Sequence, residues 1–138
     1  INQSSDDAKI GLATAFLTSN VPSAISSYRA RHLSSCRTMA DPEANGEDVD
    51  GDDEVTVKDL LMARGLASTT PWDDDWSAVY ADDTREITIT FPLTGTNAGD
   101  VAAALESNLA GRSQIVSIDN DLDADATDGD LSIVYSCS

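Results

Sequence analysis

Apolar residues recur every three or four positions over residues 4–34, which is the spacing of one face of a helix. The residues that this spacing turns toward a core include Leu12, Phe16 and Ile25. Pro22 interrupts the run, but the apolar stripe resumes on about the same face after it. The pattern therefore predicts one long N-terminal helix with a kink at the proline.

The rest of the chain is predicted as shorter elements. A polar loop over 37–54 precedes a short helix over 56–64, and an alanine-rich helix is predicted over 101–110, after Asp100. Segments rich in β-branched and aromatic residues predict strands, and turn residues or acidic loops separate the members of each hairpin. The four predicted strands are 77–81, 86–91, 114–118 and 131–135.

These elements predict an α+β fold, in which the long helix packs on an antiparallel sheet of about four strands, with two short helices. The chain has 138 residues, a length that suits one domain. We therefore expect a single domain over residues 1–138, with the N-terminal helix at about 4–34 and the sheet region at about 77–137.

The composition narrows the classes of function. Acidic residues number 25 and basic residues 8, so the formal net charge is −17. Such a surface repels nucleic-acid phosphates and anionic lipids, which argues against both as partners. No apolar run approaches the ~18 residues that span a bilayer, so we expect the chain not to be embedded in a membrane.

The sequence offers little for catalysis. His32 is the one histidine, and it lies among arginines at the end of the predicted helix, where a positive charge complements the helix dipole. No GxSxG, HExxH or phosphate-binding glycine loop occurs. We therefore expect the protein not to be an enzyme.

The sharpest local motif is a twelve-residue acidic segment that follows the order of ligands in an EF-hand loop. The carboxylates of Asp48, Asp50 and Asp52 hold positions 1, 3 and 5, and Asp59 holds position 12. A short helix follows where one is expected. The motif predicts a Ca²⁺ site, because alternate residues of a tight loop supply the oxygen ligands that Ca²⁺ requires.

Two more residues complete this predicted Ca²⁺ site: Glu54 through its backbone carbonyl and Thr56 through its hydroxyl or a water molecule. The motif departs from the usual pattern at Asp53, where glycine is normal, and at Asp59, which is one methylene shorter than glutamate. The alternative is an ordinary solvated acidic loop. The acidic run from Asp119 to Asp130 is a weaker second candidate, because no helix follows it.

The remaining candidates for a structural or binding role are two cysteines and two tryptophans. Cys36 and Cys137 are 101 positions apart and are either two buried thiols or one disulfide; the lysine-poor composition, rich in small polar residues, favours the disulfide. Trp72 and Trp76 flank three aspartates. They either mark a binding site or, as we expect, pin the loop onto the sheet.

The order of elements resembles the globular part of a type IV pilin or pseudopilin, and its start is most similar to mannose-sensitive-haemagglutinin-type pilins. The segment 1–9 resembles the point where the long helix of that family leaves its apolar half. The segment 60–66 followed by Pro71 and Trp72 is similar to the family's short helix before a Pro-Trp turn. Cys36 and Cys137 lie where pilins place the cysteines that staple the C-terminal region.

The resemblance implies a structural subunit of an extracellular type IV pilus-like filament. Such a subunit serves adhesion, motility or surface attachment, and is anchored in the inner membrane before assembly. It would bind other pilin subunits through an apolar N-terminal helix, which we expect to precede this segment, and without that helix it should be monomeric. One alternative is a type II secretion pseudopilin. The other, from a different class, is a stand-alone secreted calcium-binding recognition module.

Overall fold

A computed structural model describes residues 3–137 and contains the long N-terminal helix. It runs through α1 (Gln3–Ala15), a π-helical turn (Phe16–Asn20) and α2 (Val21–Arg31). The wider turn lies directly before Pro22, which has no N–H to continue the α-helical hydrogen bonds. The helix ends at Arg31 rather than at residue 34, because Leu33 and Ser34 both adopt left-handed backbone conformations with φ of 59°.

The face of this helix that packs on the sheet is partly different from the predicted one. Phe16 and Ile25 are buried as expected, but Leu12 is 63% exposed. Ala13 and Leu17, which are fully buried, form the row that continues into α2. Phe16 is adjacent both to this buried row and to the exposed row that contains Leu12. The sequence pattern grouped Phe16 with Leu12 and therefore predicted the exposed row to be buried.

The sheet has four antiparallel strands in the order β1-β2-β4-β3, which confirms the predicted α+β fold. Side chains of the central strands alternate between the helix-facing core and the opposite surface. The two central strands extend beyond their predicted ends. The strands are β1 (Ser77–Ala81), β2 (Glu86–Thr94), β3 (Ile115–Asn120) and β4 (Asp128–Ser136).

The two predicted short helices are present as α4 (Val57–Met62) and α5 (Ala98–Leu109). The segment predicted as a polar loop over 37–54 contains two further single turns, a 3₁₀ turn (Arg37–Ala40) and α3 (Pro42–Asn45). The 3₁₀ turn forms because Met39, which is 1% exposed, packs into the core. In the described range 3–137, no helix combines the length and apolar character needed to cross a bilayer.

The disulfide between Cys36 and Cys137 is present, as the composition favoured. Both cysteines are buried, and their Cα atoms are 5.9 Å apart. The bond joins the segment after α2 to the end of β4. It therefore holds the C-terminal end of the long helix against the end of the central strand.

Candidate cation site in the acidic loop

Four carboxylates of the acidic loop converge before α4. Asp48, Asp50, Asp52 and Asp59 each place one carboxylate oxygen within 4.8 Å of those of the other three. These are the side chains predicted for positions 1, 3, 5 and 12 of the calcium loop. The cluster could hold a metal ion, because several carboxylate oxygens at such separations match the coordination of a hard cation.

The loop turns tightly enough because two of its residues are left-handed. Gly51 has a φ of 81° and Asp53 a φ of 66°. Aspartate tolerates this conformation better than most residues, so it can occupy the position where the motif normally has glycine. The turn directs the N–H groups of Gly51 and Asp53 to the two carboxylate oxygens of Asp48, each at 2.9 Å.

Asp59 connects the loop to α4. One of its carboxylate oxygens accepts the N–H of Val49 at 2.8 Å and that of Asp50 at 3.2 Å. The other accepts the N–H of Thr56 at 2.8 Å, which is one half of a capping box at the start of the helix. The spacing Thr56-x-x-Asp59 is the sequence signal for this capping of α4. Capping is a second role of Asp59, and the calcium motif alone does not require it.

The charges of the loop are unequally stabilised. Burial and hydrogen bonds with Asp52 and Asp48, together with repulsion from Asp59, raise the pKa of Asp50 to about 6. The pKa of Asp48 is lowered, since the N–H groups of Asp53 and Gly51 outweigh its desolvation. A proton or a cation at Asp50 therefore relieves the repulsion within the cluster.

The other two predicted site residues have separate positions. The carboxylate of Glu54 is exposed and lies outside the cluster; the role predicted for Glu54 uses its backbone carbonyl instead. The hydroxyl of Thr56 lies 3.3 Å from a carboxylate oxygen of Asp59. Within the described residues, the run from Asp119 to Asp130 brings no comparable group of ligands together.

A buried lysine connects α4 to the tryptophan loop. The ammonium group of Lys58 donates to the carbonyls of Ser68 and Trp76 at 2.6 and 2.7 Å, and it lies 4.7 Å from the centre of the Trp76 ring. Trp76 is 1% exposed and also donates to the carbonyl of Ala67. The Trp72 indole donates to Asp6 at 3.2 Å. Both tryptophans therefore anchor this loop, as predicted, but these contacts are to α1, to α4 and within the loop rather than to the sheet as expected.

Comparison of the chain with protein-family models, with curated proteins and with solved structures found no match.

Proposed function

We propose that the protein is a structural subunit of an extracellular filament of the type IV pilus class and that it has no catalytic role. The observation that supports this most is how the long helix packs. Its fully buried side chains begin at Ala13, with Ile10 partly buried against the core, while Leu12 on the other side of the same turn faces solvent. A filament subunit would use this uncovered surface of the helix against neighbouring copies.

The uncovered surface is suited to packing against another helix. Leu12 is 63% exposed, and Ala8, Gly11 and Ala15 lie near it on the exposed side. A Cβ placed on Gly11 would meet no atom within 4 Å, so the space beside the helix is open. Small residues around one larger apolar side chain allow a second helix to approach closely.

The proposed location is supported by the disulfide and otherwise rests on the resemblance of the sequence to pilins. A disulfide between buried cysteines is compatible with an oxidising, extracellular compartment. In the type IV pilus class, which the sequence and its order of elements resemble, subunits reach the filament from an anchored state in the inner membrane. We propose the same route for this chain, with the domain as the outer surface of the filament.

The experiment that tests this proposal is immunogold labelling of cells that express the complete gene, with antibodies raised against this domain. A filament subunit gives gold particles in rows along surface filaments. A type II secretion pseudopilin gives label that stays within the cell envelope, and a stand-alone module gives label in the medium without filaments. Either of the last two results contradicts the proposal.

We also propose that the cluster of Asp48, Asp50, Asp52 and Asp59 binds Ca²⁺, with Glu54 and Thr56 completing the coordination as predicted. The support is the convergence of four carboxylates in a loop that follows the EF-hand order. A bound Ca²⁺ would neutralise the repulsion among these carboxylates and make the loop that leads into α4 more rigid. The bound ion would then have a structural role, stabilising the surface that carries this loop.

Added Ca²⁺ is expected to raise the melting temperature. The short side chain at position 12 and the aspartate at position 6 predict weak binding, at ~10⁻⁴–10⁻³ M, as in extracellular modules. At about 10 mM Ca²⁺ this corresponds to roughly 1.4–2.7 kcal/mol of stabilisation and a rise of roughly 4–10 °C. Differential scanning calorimetry in Ca²⁺ and in chelator measures the difference.

Two variants and one change of pH control this measurement. Asp50→Ala should abolish the shift in melting temperature, whereas Asp123→Ala, in the other acidic loop, should retain it. The shift should be smaller at pH 5 than at pH 7.5, since a pKa of about 6 means that Asp50 is then largely protonated and the proton competes with Ca²⁺. No shift in millimolar Ca²⁺, or one lost only in Asp123→Ala, contradicts the assignment.

A further inference from the structure

The positive charges of the molecule are concentrated at one end of the sheet. Five of the six arginines lie around the end of α2, the β1–β2 turn and the start of β3; we call this region the arginine end. The same turn and the first residue of β2 carry three carboxylates, Asp82, Asp83 and Glu86, so the five arginines exceed them by two charges. Hydrogen bonding and ion pairing connect these segments, since Cys137 donates to the carbonyl of Arg85 and Arg37 lies 3.7 Å from Asp82. The five residues are Arg29, Arg31, Arg37, Arg85 and Arg112.

The opposite end of the sheet, which we call the acidic end, is crowded with carboxylates. Contacts hold its segments together: Asp6 accepts hydrogen bonds from Trp72 and Asn97, and the N–H of Gly95 donates to the carbonyl of Thr127. The basic residues near these carboxylates include Lys9 and the buried Lys58, whose ammonium donates to the carbonyl of Trp76 directly after Asp75. The carboxylates are Asp6, Asp7, Asp73, Asp74, Asp75, Asp100, Asp121, Asp123, Asp125, Asp128 and Asp130.

A recess of about 150 Å³ lies at the arginine end between α2 and the start of β3. Its polar lining consists of donor-bearing side chains and includes no carboxylate: Ser26, Arg29, Ser113, Gln114 and Ser136. The Nε of Arg29 is buried and has no hydrogen-bond partner among residues 3–137, while its Nη2 donates to the carbonyl of Ser34 at 3.2 Å. A guanidinium beside hydroxyl and amide groups is a receptor for a carboxylate.

We propose that the recess beside Arg29 takes a carboxylate from the acidic end of a second copy of the chain, so that copies associate head to tail. The loop between β3 and β4 lies at the acidic end with its backbone packed against Gly99 of α5, and its exposed side chains Asp123 and Asp125 supply this carboxylate. This contact would join subunits of the proposed filament, so its biological role rests on the proposed function. It can nevertheless be measured on the isolated domain.

Charge and symmetry both favour this arrangement over a symmetric dimer. Two acidic ends would repel each other strongly, and two arginine ends, with an excess of two positive charges over Asp82, Asp83 and Glu86, would gain nothing from meeting, whereas unlike ends attract. A contact between two different surfaces does not close on itself as a two-fold dimer does, and its repetition produces an open filament. Burial, together with repulsion from Asp121 and Asp128, also raises the pKa of Asp130, so a positive charge from a neighbour would offset part of this repulsion.

The contact is expected to be weak in the isolated domain, because the net charge of −17 opposes every association. At about 0.1 M salt the Debye length is about 10 Å. The repulsion between the net charges of two molecules is then largely screened, whereas the attraction between charges in direct contact is not. NMR at protein concentrations up to about 1 mM is suited to this regime. The probe is unlabelled protein added to dilute ¹⁵N-labelled wild type.

Two charge-reversal variants separate the two ends. Unlabelled Arg31→Glu/Arg112→Glu protein keeps its acidic end and should shift amide signals only at the arginine end of the labelled wild type. Unlabelled Asp123→Lys/Asp125→Lys protein keeps its arginine end and should shift signals only at the acidic end. Arg64 is the arginine outside the arginine end, so unlabelled Arg64→Glu protein is the control. It should shift signals at both ends, as wild type does.

The outcomes are distinct. Loss of the same signals with both variants would indicate a symmetric contact, and no shift up to about 1 mM would indicate no contact; either result overturns the proposal. Raising the salt to about 1 M should remove the shifts of the wild type. Immunogold labelling tests the filament separately, so labelled filaments without these shifts would refute only the head-to-tail contact, and shifts without filaments would refute only the proposed function.

Discussion

Removing the Cys36–Cys137 disulfide is expected to lower the free energy of unfolding by ~4–5 kcal/mol. The bond closes a loop of 101 residues, and in the chain-entropy model a loop of that length restricts the unfolded chain by about this amount. Small domains have total stabilities of ~5–15 kcal/mol, so the loss is a large part of the whole. Urea denaturation in the presence and absence of reductant measures it.

The variant Cys36→Ala/Cys137→Ala should reproduce the effect of the reductant, and the reductant should have no further effect on that variant. Both cysteines are buried, so the double variant also loses a small amount of packing. A loss below ~1 kcal/mol would contradict the view that this bond holds the end of the long helix to β4. Alkylation of two thiols in freshly purified, unreduced protein would contradict the disulfide itself.

Phe16→Ala is expected to cost ~3–5 kcal/mol, because it leaves a cavity at the centre of the interface between helix and sheet. The ring of Phe16 is 8% exposed, and its centre lies 5.5 Å from the ring of Trp76 in an edge-on arrangement and 6.4 Å from that of Phe91. Such aromatic pairs contribute beyond the area that they bury. Chemical denaturation followed by the fluorescence of Trp72 and Trp76 measures the loss.

Leu12→Ala is the matched control, because it shortens an apolar side chain four residues earlier in the same helical region. Since Leu12 is 63% exposed, its replacement should change the free energy of unfolding by less than ~0.5 kcal/mol. Equal effects of the two substitutions would show that the helix packs on the sheet through the predicted row rather than through Ala13 and Leu17.

Local patterns predicted most of the fold, because a strand with one buried face shows an alternation of apolar and polar residues in its own sequence. Ile87, Ile89 and Phe91 alternate with polar residues, and the structure places all three in the core. The error at Leu12 has a physical cause. Two rows of apolar residues run along the first half of the helix, and only the position of the sheet decides which row is buried.

The acidic loop was predictable for the same local reason, since the spacing of Asp48, Asp50 and Asp52 is enough to bring their carboxylates together in a tight turn. The left-handed conformation of Asp53 was less evident, because glycine is the usual residue for it. Apart from the Cys36–Cys137 disulfide, side-chain contacts between distant segments were not predictable from such patterns. Asp6 accepts hydrogen bonds from Trp72 and Asn97, and no short-range pattern connects these positions.

The measurement that tests the filament account most directly compares Leu12→Glu with Val79→Glu in the complete gene. Leu12 and Val79 are 63% and 62% exposed, so neither substitution should disturb the fold, but only Leu12 lies on the helix surface proposed to meet neighbouring copies. We expect cells with Leu12→Glu to lose surface filaments under the electron microscope, whereas those with Val79→Glu keep them. Filaments of normal number and length in Leu12→Glu cells would contradict the account.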